Sequence, residues 1–227
     1  MPRVHGAVRV AAVICALVSI VLTLCTVPAR AQQVAGVIER QAGDVTRAGG
    51  NGAVQTLARG AVIYVGDRIE TGEAGRVLVR FTDSSRLTLS ANATVVIDEF
   101  VYSAEDGAAA SNRQALNFLT GVYKFISGAS GASNPGGFTG NTPVATIGIR
   151  GTEFVGGELT VGMPPGTSHI GFQIRAGAIA VTNTFGSVTL DAPGEGTFIP
   201  LDGSAAPTPV RQWTAEEAAE ADALLAF

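Results

Sequence analysis

From Arg76 to Phe81 the chain reads Arg-Val-Leu-Val-Arg-Phe, so Val77, Val79 and Phe81 share one side of an extended backbone. Arg76, Leu78 and Arg80 take the other side, the period-two pattern of a half-buried strand. Asp83-Ser84-Ser85 comes next, and short oxygen-bearing side chains there can bond the nearby backbone and turn the chain. Leu87 and Leu89 then resume the alternation, and the segment predicts a hairpin.

Similar runs recur between Gly-, Asn- and Asp-containing breaks: Val34 to Val45, Val54 to Val65, Thr94 to Val101 and Leu116 to Ile126. Gly121 is expected to split the last into two short strands. Ile170 to Ile174, Ile179 to Thr182 and Ser187 to Leu190 complete the series. Short strands at this spacing, without a sustained 3.6-residue period, predict an all-β fold. The expected form is a compact twisted β-roll, solenoid-like, or a sandwich of short strands. Three segments read as irregular: Ala104 to Asn112, the Gly/Ser/Asn-rich connector Ser127 to Asn141, and Val161 to Thr167, a hairpin tip around Pro164-Pro165-Gly166. After Pro207 and Pro209, Thr214-Ala215-Glu216-Glu217 has capping-box spacing. It predicts a short C-terminal α-helix from Ala215 to Ala226, whose apolar tip docks either on the β domain or on a partner.

The N-terminus has a different pattern. Arg3 and Arg9 precede an apolar run of 18 residues from Val10 to Val27, broken only by Ser19, Thr23 and Thr26. Pro28 ends it, and Ala29-Arg30-Ala31 is a small-x-small cleavage pattern. We expect a signal peptide at 1–31, a β domain at 32–202, and a proline-containing linker with the helix at 203–227. The alternatives are an uncleaved anchor, since the run approaches spanning length, and a lipidated Cys25, against which Leu24 speaks. Cleavage would remove both cysteines, Cys15 and Cys25, and with them any thiolate site or disulfide. It would also remove Arg3, Arg9 and Arg30 from the 15 basic residues, leaving 12 against 19 acidic ones and a net charge of about −7. That balance argues against nucleic acid as a partner, because such binding needs basic patches. A cleaved chain would keep no stable membrane span.

Catalytic chemistry finds little to use. His169 would be the one remaining histidine, and HExxH, GxSxG, P-loop and EF-hand patterns are absent. Asp98 and Glu99 are neighbours on a strand and are expected on opposite faces, unable to cooperate. Glu105-Asp106 could form at most a weak calcium site. The sequence predicts no enzyme, no cofactor and no metal site.

One run is more specific. Asn141 to Phe154 reads NTPVATIGIRGTEF, in which Pro143 favours extended geometry at Thr142. Ala145, Ile147 and Ile149 would form an aliphatic face, and Gly151 permits a turn that a side chain would block. Arg150 and Thr152 either lock that turn, with the guanidinium on carbonyls or a carboxylate, or contact a ligand. Thr142, Pro143, Ala145, Ile147, Ile149, Arg150, Gly151, Thr152 and Phe154 resemble the signature of the FecR domain. Upstream, Gly60-Ala61-x-Ile63-x-x-Gly66-Asp67-x-Ile69-x-Thr71-Gly72 fits the same family, as does Asp83-Ser84-Ser85-Arg86-Leu87 with Ser84 where glycine is commoner. Gly177-x-Ile179-x-Val181 and Gly194 fit as well, so the likeness covers roughly residues 34–200.

The resemblance implies a periplasmic signalling module of the Gram-negative cell envelope that acts through protein–protein contacts with an envelope or outer-membrane partner. Family regulators carry a cytoplasmic anti-sigma segment before their span. Here nine residues precede the apolar run, so the expectation is a stand-alone secreted form that does not bind a sigma factor directly. Strand addition at exposed edges is the expected means of binding. The alternative is a cell-wall or glycan-associated structural module, for which Trp213 and the scattered Tyr64, Tyr102 and Tyr123 offer little.

Overall fold

A computed structural model describes residues 32–49, 52–105, 108–164 and 167–227. Within it, Gln33–Phe227 make up one compact unit. The expected leader, with Ala29 and Ala31, lies outside the described residues, as do Asp106, Gly107, Pro165 and Gly166. No helix among the described residues is long and apolar enough to cross a membrane.

The first half of the unit is strands alone: β1 (Val34–Ala42), β2 (Val45–Ala48), β3 (Val54–Thr56), β4 (Val62–Tyr64), β5 (Arg68–Thr71), β6 (Arg76–Phe81), β7 (Arg86–Leu89) and β8 (Thr94–Val101). A single 3-10 turn comes next at Ala109–Ser111, then β9 (Arg113–Thr120), β10 (Val122–Ile126) and the five-residue helix α1 (Ala129–Ser133). β11 (Phe138–Asn141), β12 (Thr146–Leu159), β13 (His169–Asn183), β14 (Gly186–Leu190), β15 (Glu195–Pro200), β16 (Arg211–Gln212) and α2 (Ala215–Leu225) complete it. The expected all-β class with a short C-terminal helix is what the chain adopts.

All these strands join one curled sheet in the order β3-β2-β5-β8-β9-β11-β12-β10-β7-β6-β1-β4, with β13 on the other edge of β12. β9 and β11 run parallel, and the other pairs are antiparallel. β9 and β10 are consecutive but unpaired with each other. At Gly121 the chain leaves one layer of the roll for the other. The layers meet through stacked Phe81 and Phe100, 5.3 Å apart, and through Phe125 on Phe138 at 4.6 Å. The two ends of the sheet approach each other where Arg47 of β2 donates to the Val62 carbonyl of β4 at 2.8 Å and to buried Asp67 at 3.0 Å.

The β6–β7 hairpin forms as the alternation predicts, with Val79 opposite Leu87 and Val77 opposite Leu89. Ser84 takes φ +69°, which explains why glycine suits that position. The connector 127–141 departs from the irregular reading. Buried Asp83 accepts hydrogen bonds from the amide and hydroxyl of Ser130, and its carbonyl accepts from the Ala129 amide at 2.9 Å. A carboxylate distant in sequence thus holds the first turn of α1, and the chain continues into β11, where Phe138 is buried. The two runs expected at 170–174 and 179–182 are one strand, β13, whose alternation breaks at an internal bulge.

α2 shows both halves of the predicted capping box, Thr214 Oγ1 accepting from the Glu217 amide at 3.2 Å and Glu217 Oε2 from the Thr214 amide at 2.8 Å. Its apolar side docks on the chain's own domain. Ala221 and Leu225 pack with Val122, Val155, Leu159, Phe198 and Trp213, on the strand faces turned away from the main core. Glu220 accepts from the Thr160 and Val161 amides at 2.9 and 3.0 Å, and Arg175 pairs with Asp222 at 2.9 Å.

Candidate functional site

The signature begins as a turn. Thr142 Oγ1 accepts from the amides of Val144 and Ala145 and donates to the Ala145 carbonyl at 2.9 Å. This closes the hairpin between β11 and β12 and places Pro143 at its exposed tip. β12 then presents Ile147 and Ile149 to the core as predicted, leaving Thr146 exposed.

At Arg150-Gly151-Thr152 the strand bulges instead of turning. Arg150 opposes Ala178 but Glu153 opposes Ala176, so two residues of β12 face one of β13, Gly177. One step later Phe154 opposes Ile174, so Arg175 of β13 is the extra residue. The two offsets cancel, and one register holds on both sides. Inward positions are odd before the bulge (Ile147, Ile149) and even after it (Thr152, Phe154). β13 makes the matching switch from Ile174 to Ile179. The glycines make this possible. Gly151 and Gly177 have φ of +58° and +80°, and a β-carbon on Gly177 would lie 2.1 Å from the Gly151 carbonyl oxygen.

Thr152 locks the bulge. Its buried hydroxyl accepts from the Arg150 amide at 3.1 Å and donates to the Ala178 carbonyl at 2.8 Å. Its amide donates to Ser127 Oγ at 2.7 Å, and its carbonyl accepts from the Ser127 amide at 2.9 Å. Ser127 carried no sequence signal, because it opens the stretch that reads as a connector. Phe154 is fully buried against Tyr123 and Phe125.

Arg150 does not share in this. Its side chain is exposed and makes no hydrogen bond or ion pair among the described residues, so it satisfies neither turn carbonyls nor a carboxylate of its own fold. The reason is geometric: the bulge puts Thr152, not Arg150, on the inner side. The guanidinium borders a shallow groove of about 460 Å³ on the outer face, floored by Gly148, Ala178 and Ala180 and flanked by Thr139, Thr189 and Pro135. The groove is neutral apart from Arg150.

Other candidate chemistry is dispersed. β8 bulges between Ile97 and Glu99, so Asp98 and Glu99 both lie off the core instead of on opposite faces, and Glu99 is engaged by Arg113 at 2.9 Å. His169 packs against Phe198 with the rings tilted by 42° and their centroids 4.1 Å apart. Burial holds its imidazole below the usual value against the opposing pull of Glu217 and Glu220, with Arg211 adding to the depression. No group of three or more His, Cys, Asp or Glu among the described residues could hold a metal ion.

Residues 67–169 match the family model described as FecR protein, a span from the buried Asp67 through the signature bulge that makes up less than half of the chain. The matched segment is FecR-related. Two crystal structures of a candidate anti-sigma factor from Parabacteroides distasonis are similar, each at 14% identity with a TM-score of 0.48 over 67% of this chain. The chain spans 62% of the length of those proteins. A structure described as a cell surface anchoring domain is 27% identical over 33% of this chain and 99% of its own, with a TM-score of 0.30. A comparison with curated proteins gives no match.

Proposed function

We propose that this chain is a non-enzymatic, FecR-like binding and sensing module of the cell envelope, periplasmic or secreted, that engages a protein partner through the groove beside Arg150. The organisation we propose with it is a leader at 1–31 cleaved after Ala31, a β domain at 32–202, and a linker with its helix at 203–227. One observation carries the reading. Thr142 and Thr152 spend their polar atoms on the fold, whereas the signature arginine holds its planar donor fork away from it. A guanidinium on a flat neutral floor of small residues suits a partner carboxylate, which it can grip through two parallel hydrogen bonds. β14 borders the same face and, among the described residues, pairs only with β13. Its other edge is therefore free for strand addition. The wall-glycan alternative is disfavoured, because Trp213 is buried and stacked on Phe198 at 5.2 Å.

The test is site-specific photocrosslinking in the native envelope. A photoreactive residue at Ala180 should yield a defined protein adduct, one at exposed Glu73 should not, and Arg150→Glu should abolish the adduct without lowering the melting temperature. An adduct that survives Arg150→Glu, or none from Ala180, would refute the assignment.

A further inference from the structure

β14 lies outside β13 at a border of the sheet. Proteins blunt an exposed strand edge with charge, proline, a bulge, short length or a covering segment. Other borders of this sheet carry such devices. β3 is three residues long, with Arg47 bound to its Gln55 at 2.8 Å, and the Val62 carbonyl of β4 is taken by Arg47. β16 is two residues long and contains Arg211. β14 instead reads Gly-Ser-Val-Thr-Leu over Gly186–Leu190, without charge or proline, and pairs with β13 in unbroken register. Ser187 and Thr189 are exposed on its outer face, Val188 is half-buried on the inner one, and Phe185 at the adjoining hairpin tip is 60% exposed.

The outer face points to a partner of like chemistry. Asn117, Asn141, Thr146, Thr182 and Ser187 stand in one line across β9, β11, β12, β13 and β14. Within it Asn141 donates to Asn117 at 2.9 Å, and the Thr182 and Ser187 hydroxyls meet at 2.7 Å. The line stops at Ser187, on the open edge. β14 is also complementary to itself. Laid antiparallel on a second β14 with Val188 facing Val188, it sets Ser187 against Thr189 and Gly186 against Leu190. Hydroxyl meets hydroxyl as in the Thr182–Ser187 pair, and the largest side chain faces the residue that has none. Such a pairing has a two-fold axis, so it closes as a dimer. Asp191 is the first charged residue after the strand. Its two copies would lie about 20 Å apart along the paired strands, well beyond a Debye length of about 8 Å. The acidic surplus of the chain therefore does not oppose the contact at close range.

We propose that β14 pairs antiparallel with β14 of a second copy of this chain, centred on Val188, to form a two-fold dimer with one continuous sheet. This rests on the reading of the β14 edge as open to strand addition and names its occupant, while the carboxylate partner of Arg150 is a separate contact. A five-residue strand buries less than a stable interface needs, so the dimer is reversible, with a dissociation constant of about 100 µM.

Sedimentation equilibrium of the folded chain from about 10 µM to about 1 mM should show monomer and dimer in reversible exchange. Ser187→Lys with Thr189→Lys sets lysine against lysine at both outer pairs and should weaken the dimer about tenfold. Ser187→Glu with Thr189→Glu should do the same. An equimolar mixture of the two variants sets lysine against glutamate and should restore the dimer. A further readout needs no variant: in the parent, β14 amides should exchange more slowly at the high concentration than at the low one, and β3 amides should not change. A chain that stays monomeric, β14 exchange independent of concentration, or variants that dimerise as well alone as in mixture would each overturn the proposal. A dimer without an Ala180 adduct to another protein refutes only the Arg150 partner, and that adduct on a monomeric chain refutes only the dimer.

Discussion

Gly151 and Gly177 face each other across the bulge with similar positive φ, yet alanine at the two positions should behave very differently. At Gly151 no atom lies within 4 Å of an added β-carbon. The cost is then left-handed strain alone, about 1–2 kcal/mol, reduced by about 0.4–1 kcal/mol because alanine restricts the unfolded chain. These two ranges leave a net loss of about 0–1.6 kcal/mol. At Gly177 the same β-carbon meets the Gly151 carbonyl oxygen at 2.1 Å, its carbon at 2.9 Å and the Arg150 oxygen at 3.0 Å, all backbone. These fall inside ordinary contact distance, about 3.5 Å, and no rotamer can relieve them. The strands must part, which adds an overpacking cost of about 1–3 kcal/mol and strains the bond from Thr152 Oγ1 to the Ala178 carbonyl. The total should then be about 1–4.6 kcal/mol, larger than at Gly151 by the overpacking cost. Urea titration and thermal melting of each variant measure this, with about 2–4 °C expected per kcal/mol in a chain of this size. Equal losses at the two glycines, or a larger one at Gly151, would refute the bulge account.

Ser84, at φ +69°, should accept glycine with no loss beyond about 0.5 kcal/mol, since strain relief offsets unfolded-state entropy. Ser84→Val should cost about 1–2 kcal/mol, and a Gly variant weaker than the Val variant in urea titration would contradict this. Acid should loosen α2 in two stages, read by Trp213 emission. His169 sits near Glu217 and Glu220 of α2 and Arg211 of β16, and its value in the fold is below the ordinary 6.5. The unfolded chain therefore binds its proton first, and stability is complete above pH 6.5 and declines as pH falls below it. Glu217 is held down chiefly by Arg211. Burial opposes the charge of Glu220, but bonds from Thr160 and Val161 outweigh it, so both carboxylates lie below their ordinary 4.5. Their contribution is present above pH 4.5 and lost beneath it. A denaturation midpoint that rises on acidification would reject the assignment.

Local pattern carried the reading wherever one strand face met the core without interruption. Val77, Val79 and Phe81 announced β6, and Thr214 with Glu217 announced α2. It failed where distant residues did the work. α1 depends on Asp83 from the β6–β7 turn, and Thr152 reaches Ser127 and Ala178 on two other segments. The extra residue at Arg175 broke the alternation of β13 and made one strand read as two. Arg150 was legible as a signature residue but not as an unpaired one, because its isolation depends on the side to which the bulge turns Thr152.

The cancelling offsets in β12 and β13 also bear on chain length. Each strand carries one residue more than a regular ladder would need, so neither can change its length alone without slipping every pair on one side of the signature. Loss of a residue near Gly151 preserves both halves of the pairing only if β13 loses one near Arg175 as well. Insertions and deletions at this point of the fold are therefore constrained to come in matched pairs, drawn from two segments separated in the sequence by the whole hairpin.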